Sequence, residues 1–442
     1  MWLGSETGKM KYRIVCAKPG KLEEQASYLY DNQTNEIWDA EGGLVDFRKD
    51  ERYADFPTSK LSDRTVKDFS PDEPIIGRSR RLKTLKIQLG MACNYHCQYC
   101  MQNAYRDGGV RLANEQTVDA FFEILDEQGI ELAPDGQVEL WGGEPLVYWK
   151  TLKVLLPKIR SHWGDEVLVK MVTNGSLLTK EKVDFLMAHR VTVIVSHDGP
   201  GFDLRDDVDP LTVPEIKEAW LYLLEQSQAA GVSMGFCVVI SPKNVDLFAL
   251  KHFFATQFSP EAHFYFEGVV TNDGAANDAC CLTPEEARTL DSAVFKALIQ
   301  EEGQWESLEW RALGLMRYLI NRVPADRIEG RCDSMNPKVM VVDLYGRIGT
   351  CQNRPTKQFQ IGALSNLPAV RNPYFTRWTH RPACGKCLVL SACKGSCPHL
   401  TNESLALCCP NEFVFHAAIF GAVWFRLTGT IMLSALPVTE LS

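Results

Sequence analysis

This chain has no basic surplus. Its 442 residues include 47 Lys and Arg against 56 Asp and Glu, a net charge of −9. That weighs against nucleic acid as the main partner, because phosphate binding draws on free cations. The one local basic run, Arg78-Ser79-Arg80-Arg81-Leu82-Lys83, reads as a solvated face ahead of a strand. An apolar leader is also missing: Met1-Trp2-Leu3-Gly4-Ser5-Glu6 is too polar too early for a secretory segment. Uninterrupted apolar runs of spanning length are absent too. Phe413 to Leu436 comes nearest, but His416 and Arg426 interrupt it, so it reads as a packed C-terminal helix rather than a membrane anchor. Low charge content does not follow from these gaps. Charged residues make up 23% and hydrophobic residues 45%, the balance of a globular chain and not a disordered one. The expectation is a cytoplasmic protein with no nucleic-acid and no membrane partner.

Cysteine is abundant, at 15 residues. In a reducing compartment, clustered cysteines serve as metal ligands more often than as disulfides. Cys93, Cys97 and Cys100 form a C-x3-C-x2-C run. Three thiolates at this spacing can hold three irons of a cubane cluster and leave the fourth iron open to a small molecule. A closed zinc site with His96 as fourth ligand is the alternative that this run alone leaves open.

The length suits two or three domains. Near the start, Lys11–Val15, Ser27–Tyr30 and Glu36–Trp38 read as strands, the last two flanking a hairpin turn. A charged linker runs from about Asp50 to Arg81. From Leu85 on, strand-like and helix-like segments alternate. The strands are Leu85–Leu89, Val138–Trp141, Val167–Val172, Val191–Ser196, Ser233–Ile240 and His263–Glu267. Six such alternations predict an α/β fold with a parallel sheet.

The cysteine run and its surroundings resemble the radical SAM superfamily. Gly142-Gly143-Glu144-Pro145 follows a strand and resembles the family's GGEP motif. The resemblance implies that Gly143 and Glu144 meet the methionine amino group of S-adenosylmethionine, and that Tyr99, before the third cysteine, packs near the adenine. Thr173-Asn174 and Ser196-His197-Asp198-Gly199-Pro200 lie at later strand ends and resemble further family motifs. Hydroxyl, amide and carboxylate groups suit the polar ends of that cofactor. They make Thr173, Asn174, Ser196 and Asp198 cofactor candidates, with Arg205 for the methionine carboxylate. The implied architecture is a partial (β/α)6 barrel over residues 81–275, whose reacting groups sit at the C-terminal strand ends.

A second set of cysteines runs from Cys332 through Cys351 to Cys384, Cys387, Cys393, Cys397, Cys408 and Cys409. Its spacing, C-x13-G-x4-C and then C-x2-C-x5-C-x3-C, resembles the SPASM domain, with zinc-ribbon pairs as the alternative. The resemblance implies two auxiliary 4Fe–4S clusters besides the first, so three in all. One would use Cys332, Cys351 and Cys397, either leaving one iron open or drawing a fourth ligand from Cys280, Cys281 or Cys408. The other would use Cys384, Cys387, Cys393 and either Cys409 or Cys408. Cys16 and Cys237 read as buried structural cysteines. The expected division is an N-terminal region over 1–80 that recognises substrate or caps the barrel, a helical linker over 276–330, the auxiliary-cluster domain over 331–415 and a C-terminal helix over 416–442.

Within this family, sulfatase maturases place an aspartate base directly after the cysteine of the G-x4-C element. Gln352 stands there, and an amide cannot take a proton. The expectation is therefore a radical SAM oxidoreductase acting on a ribosomal precursor peptide, with a flavodoxin or ferredoxin as reductant. Asp343 and Glu267 are the candidates for a base. Formylglycine formation, small-molecule dehydrogenation or epimerisation, and a non-enzymatic iron–sulfur protein are the alternatives.

Overall fold

The structure, a computed structural model, describes residues 10–57, 75–106, 109–260, 262–269, 278–328, 330–332, 334, 336–374 and 376–438. Most of the expected linker, residues 58–74, lies outside them. Lys11–Lys18 (β1), Lys21–Asp31 (β2) and Ile37–Trp38 (β3) form an antiparallel sheet, as the alternation of that stretch predicts. Its turn is not idle. Asn32 and Asn35 are fully buried, and Asn32 Nδ2 donates to the carbonyl oxygens of Cys387 and Gly385 at 2.9 and 3.1 Å. The N-terminal sheet thus braces a C-terminal cysteine loop. A short strand, Ile75–Ile76 (β4), follows.

The parallel strands are Arg81–Gln88 (β5), Glu131–Trp141 (β6), Leu168–Thr173 (β7), Val191–Ser196 (β8), Met234–Ile240 (β9) and Phe264–Val269 (β10). Between them run helices Glu115–Glu127 (α1), Trp149–Trp163 (α2), Lys180–Ala188 (α3), Pro214–Ala230 (α4) and Leu247–Gln257 (α5). β8, Val-Thr-Val-Ile-Val-Ser, is largely buried on both faces, as a strand covered by helices must be. Each strand lies beside its predecessor, and the sheet stays open at β10.

The expected helical stretch over 276–330 holds Pro284–Gln300 (α6) and Glu306–Ile320 (α7). Thr283 caps α6 in a reciprocal box with Glu286, with Pro284 in its first turn. The sheet does not end with the sixth strand. Val339–Asp343 (β11) adds parallel to β5, and Arg347–Gly349 (β12) and Gln360–Ala363 (β13) extend it antiparallel to nine strands. One continuous sheet therefore crosses the boundary expected near residue 331. Arg371–Asn372 (β14) pairs with β4.

Leu390–Cys393 (α8) precedes the long helix Asn402–Thr428 (α9), and Ile431–Val438 (β15) closes the chain on β1. This corrects the expected C-terminal helix over 416–442: it starts earlier, stops at the left-handed Gly429, and gives way to a strand. α9 is long and apolar enough to cross a membrane by length and composition, yet 56% of its most apolar window is buried, with α6, α7 and β15 packed against it.

Candidate active site

One cavity of about 450 Å³ opens at the C-terminal ends of the barrel strands. Cys93, Cys97 and Cys100 line it, and so do Cys332, Cys351 and Cys397. That volume is in the range of a small-molecule site.

The first cysteine loop is shaped by backbone contacts. Gly143 N donates to Gly90 O and Glu144 N to Ala92 O, both at 2.9 Å. A Cβ on Gly143 would sit 2.2 Å from the Ala92 oxygen, so only glycine fits there. Gly90, at φ +154°, faces the Tyr148 hydroxyl, which also accepts the Ala92 N–H at 2.8 Å. Tyr95 N–H points at Cys93 Sγ at 3.4 Å, and burial pushes the Cys97 thiol up to about 12. His96 is exposed and does not line the cavity.

Glu144 is buried at the end of β6. Its carboxylate accepts from Thr173 Oγ1 at 2.6 Å, Asn174 N at 2.7 Å and Leu146 N at 2.9 Å. Burial nonetheless raises its pKa, with these hydrogen bonds working the other way. Gly143, Glu144, Thr173, Asn174, Ser196 and Arg205 all reach the cavity. Tyr99 reaches it too, and donates its hydroxyl to Asp198. Asp198 itself is fully buried behind the wall, holding Arg205 Nε at 3.0 Å and the Val239 N–H at 2.9 Å. Burial works against the Arg205 charge, but Asp198 together with Tyr99, Cys97 and Cys237 outweighs it and keeps the guanidinium pKa raised.

In the C-terminal region, Ser334 N–H points at Cys332 Sγ at 3.4 Å and Asn353 N–H at Cys351 Sγ at 3.3 Å. Cys93, Cys332 and Cys351 thus each face the N–H two residues on, the kind of contact that steadies a cluster-bound thiolate. None of the 15 cysteines is paired in a disulfide. Burial pushes several of these thiols up, Cys351 and Cys387 to about 12 and Cys384 to about 11. Deprotonation there calls for a metal partner, and the residues fit iron–sulfur clusters in both regions. Cys409 bears electrostatically on Cys384 and Cys387, whereas the Cys408 thiol turns back to Ser404 O at 3.3 Å in its own helix. Cys280 packs with Tyr99, Leu204 and Cys97, on the side of the first cysteine loop, and Cys281 is exposed. Cys16 and Cys237 are buried.

The two candidate bases separate. Asp343 is absent from the cavity wall and saturated: Arg347 Nε and Thr356 Oγ1 each donate to Oδ2 at 2.7 Å. Glu267 lines the cavity, as does Gln352. Sequence reasoning missed Glu412, Arg331, Arg78 and Lys86, all in the wall. Glu412 is buried three residues beyond Cys409, and Arg331 precedes Cys332; they pair at 2.6 Å. Position beside cluster cysteines was the available signal for those two. Arg78 overturns its expected role as part of a solvated face: it is 9% exposed.

Residues 87–247 match the sequence family described as the Radical SAM superfamily. The radical SAM cyclopropyl synthase TigE of Paramaledivibacter caminithermalis is 24% identical over 136 residues, 28% of this chain and 29% of that one. A probable GTP 3′,8-cyclase of Sulfolobus acidocaldarius is 26% identical over 221 residues, 46% of this chain and 66% of that one. The matches thus span less than two thirds of either relative. The solved structure of native anSMEcpe with bound AdoMet and Cp18Cys peptide shares the fold, with a TM-score of 0.54 and 16% identity over 78% of this chain and 98% of that one. Over residues 87–247, this chain carries a radical SAM domain.

Proposed function

We propose that this chain is a radical SAM peptide maturase. It would abstract a hydrogen atom from a residue of a ribosomally made precursor peptide and leave an oxidative modification such as a C–C, ether or thioether crosslink. The observation that carries the reading is a cavity lined by Cys93, Cys97 and Cys100 and also by Cys332, Cys351 and Cys397. A substrate held there lies within reach of a radical source and of an electron acceptor, as a net two-electron oxidation requires.

Cys93, Cys97 and Cys100 would hold an iron–sulfur cluster, which would supply the electron for reductive cleavage of S-adenosylmethionine. The chain's own residues do the rest. Glu144, Thr173 and Asn174 offer a polar rim for the methionine end of that cofactor. Tyr99 offers its ring, with its hydroxyl tied to Asp198. Cys332, Cys351 and Cys397 would hold one auxiliary cluster, and Cys384, Cys387, Cys393 and Cys409 the other. The fourth position of the former is unassigned.

The peptide and AdoMet in the anSMEcpe structure support a peptide substrate. Gln352 in the cavity wall weighs against formylglycine formation, because an amide is no base. The names of the two relatives, a cyclopropyl synthase and a cyclase, favour bond formation. The test has two stages. Anaerobic reconstitution with dithionite and S-adenosylmethionine should yield 5′-deoxyadenosine; none would remove the radical reading. Coexpression with a short open reading frame adjoining the gene should then give a peptide lighter by two hydrogens. An unmodified peptide mass would leave epimerisation or a small-molecule substrate.

A further inference from the structure

We propose that Arg78 and Lys86 form a carboxylate-binding subsite in the cavity wall, which holds an acidic group of the substrate. It deepens the peptide reading above and rests on it for the identity of the substrate.

Arg78 sits in the segment leading into β5. Its Nη2 donates to Ser334 O at 3.1 Å and Nη1 to Gly77 O at 3.2 Å, while Nε has no partner. No carboxylate pairs with it among the described residues. A guanidinium this buried is costly unless an anion completes it. Its burial already pulls the pKa down to about 10.

Lys86 is 8% exposed and also lines the cavity. Its ammonium lies 3.2 Å from Glu139 Oε2. That carboxylate is shared, for Gln137 Nε2 donates to Oε1 at 2.8 Å and Trp141 Nε1 to Oε2 at 2.9 Å. An ammonium has three protons, so donors remain for a ligand.

The two cations line the same cavity. In register, Lys86 pairs with Val341 of β11, and Ser334, which Arg78 holds, lies in the approach to that strand. Val339 and Val341 supply the apolar surface beside them. Such a pocket suits the short acidic side chain or the terminal carboxylate of a peptide. Of the other cavity arginines, Arg205 is committed to Asp198 and Arg331 to Glu412, and Arg106 donates to the Tyr95 carbonyl beside the first cysteine loop. A guanidinium and an ammonium together give the charge-assisted contacts that a carboxylate takes best.

The test uses the full chain, reconstituted with iron and sulfide and loaded with S-adenosylmethionine, in anaerobic titration calorimetry. The probes are acetyl-Gly-Glu-Gly-amide, acetyl-Gly-Gln-Gly-amide and acetyl-Gly-Gln-Gly with a free terminal carboxylate. One of the acidic peptides should bind about tenfold tighter than the neutral one, as expected for one charge-assisted pair. Which one it is identifies the side-chain or the terminal source. Arg78→Gln and Lys86→Met should each erase the preference, and Arg78→Lys should keep part of it. If Arg78→Gln loses iron, Arg78→Lys and Lys86→Met carry the test.

Equal affinity for all three peptides overturns the subsite. So does a preference that survives Arg78→Gln while an auxiliary-cluster potential shifts, which would make Arg78 a counter-ion of the cluster. A tenfold loss of S-adenosylmethionine affinity in Arg78→Gln also overturns it, by assigning Arg78 to that cofactor. Formation of 5′-deoxyadenosine is followed in the same samples, so failure of the radical reading is seen separately from failure of the subsite.

Discussion

Arg205 Nε stands 3.0 Å from Asp198 Oδ2, with both side chains buried. Tyr99 donates to the same carboxylate, and the Val239 N–H fills its other oxygen. Asp198 is therefore a strut that ties the cysteine loop, β9 and the Arg205 guanidinium together. Asp198→Asn keeps the shape but leaves a buried guanidinium without its counter-charge. Removing one partner of a buried ion pair costs about 3–5 kcal/mol. Chemical denaturation of the reconstituted protein should read a loss of that size, together with weaker S-adenosylmethionine binding. Unchanged stability would mean that the pair is not carrying load.

Glu144 ties the end of β6 to the end of β7 through Thr173 and Asn174. Its two oxygens accept three donors, and an amide has only one oxygen to offer. Glu144→Gln therefore turns at least one N–H or O–H against another donor, costing about 1–3 kcal/mol. The affinity for S-adenosylmethionine should fall about tenfold to a hundredfold. Iron content should stay at the wild-type level, because no cysteine is touched. Loss of iron along with affinity would point to a collapsed loop instead.

The alternation of β-branched runs with amphipathic helices made the barrel legible from Leu85 onward, since strands such as Val191–Ser196 are covered on both faces. The cysteine and GGEP motifs were legible because close backbone approach and thiolate ligation restrict residue type. The continuation of the sheet through Val339–Asp343 was not. That apolar run lies inside the cysteine spacing, and only pairing with β5 makes it part of the barrel. Strand Ile431–Val438 was hidden behind the apolar helix before it, and needs β1, more than four hundred residues away, to exist. Arg78 was misread for a physical reason: a run of cations is normally solvated, and nothing local marks the one member that turns inward. Asp198 was recognised, but its supporting role depends on Tyr99 and Val239, which the sequence does not bring together.

Cys408 and Cys409 are adjacent, yet successive positions on a helix point about a quarter-turn apart. A charge on Cys409 would raise the pKa of Cys384 and Cys387, whereas the Cys408 thiol bonds the Ser404 carbonyl in its own helix. Cys409→Ser should lower the iron content by the equivalent of one cluster, read by iron quantification and Mössbauer spectroscopy. Cys408→Ser should leave both unchanged. The reverse pattern would exchange their roles.

Glu309 of α7 and Arg426 of α9 form a bidentate pair, with Nη2–Oε1 at 2.6 Å and Nη1–Oε2 at 2.8 Å. Their side chains are 11% and 8% exposed. Burial works to raise the Glu309 pKa, but the hydrogen bonds from Arg426 and Gly303 outweigh it and hold the carboxyl below the ordinary glutamate range. A carboxylate depressed in the folded state stabilises the fold above its unfolded pKa and loses that contribution as pH falls through the folded value. Glu309→Gln should therefore unfold more easily than the wild type by about 2–4 kcal/mol at neutral pH, since it leaves a mostly buried guanidinium half-paired. The gap between the two proteins should hold from about pH 8 down to about pH 5 and narrow only below the usual glutamate value of about 4.3. Denaturant unfolding curves at matched ionic strength measure it. A gap that closes near pH 6 would trace the stability difference to a histidine and not to this pair.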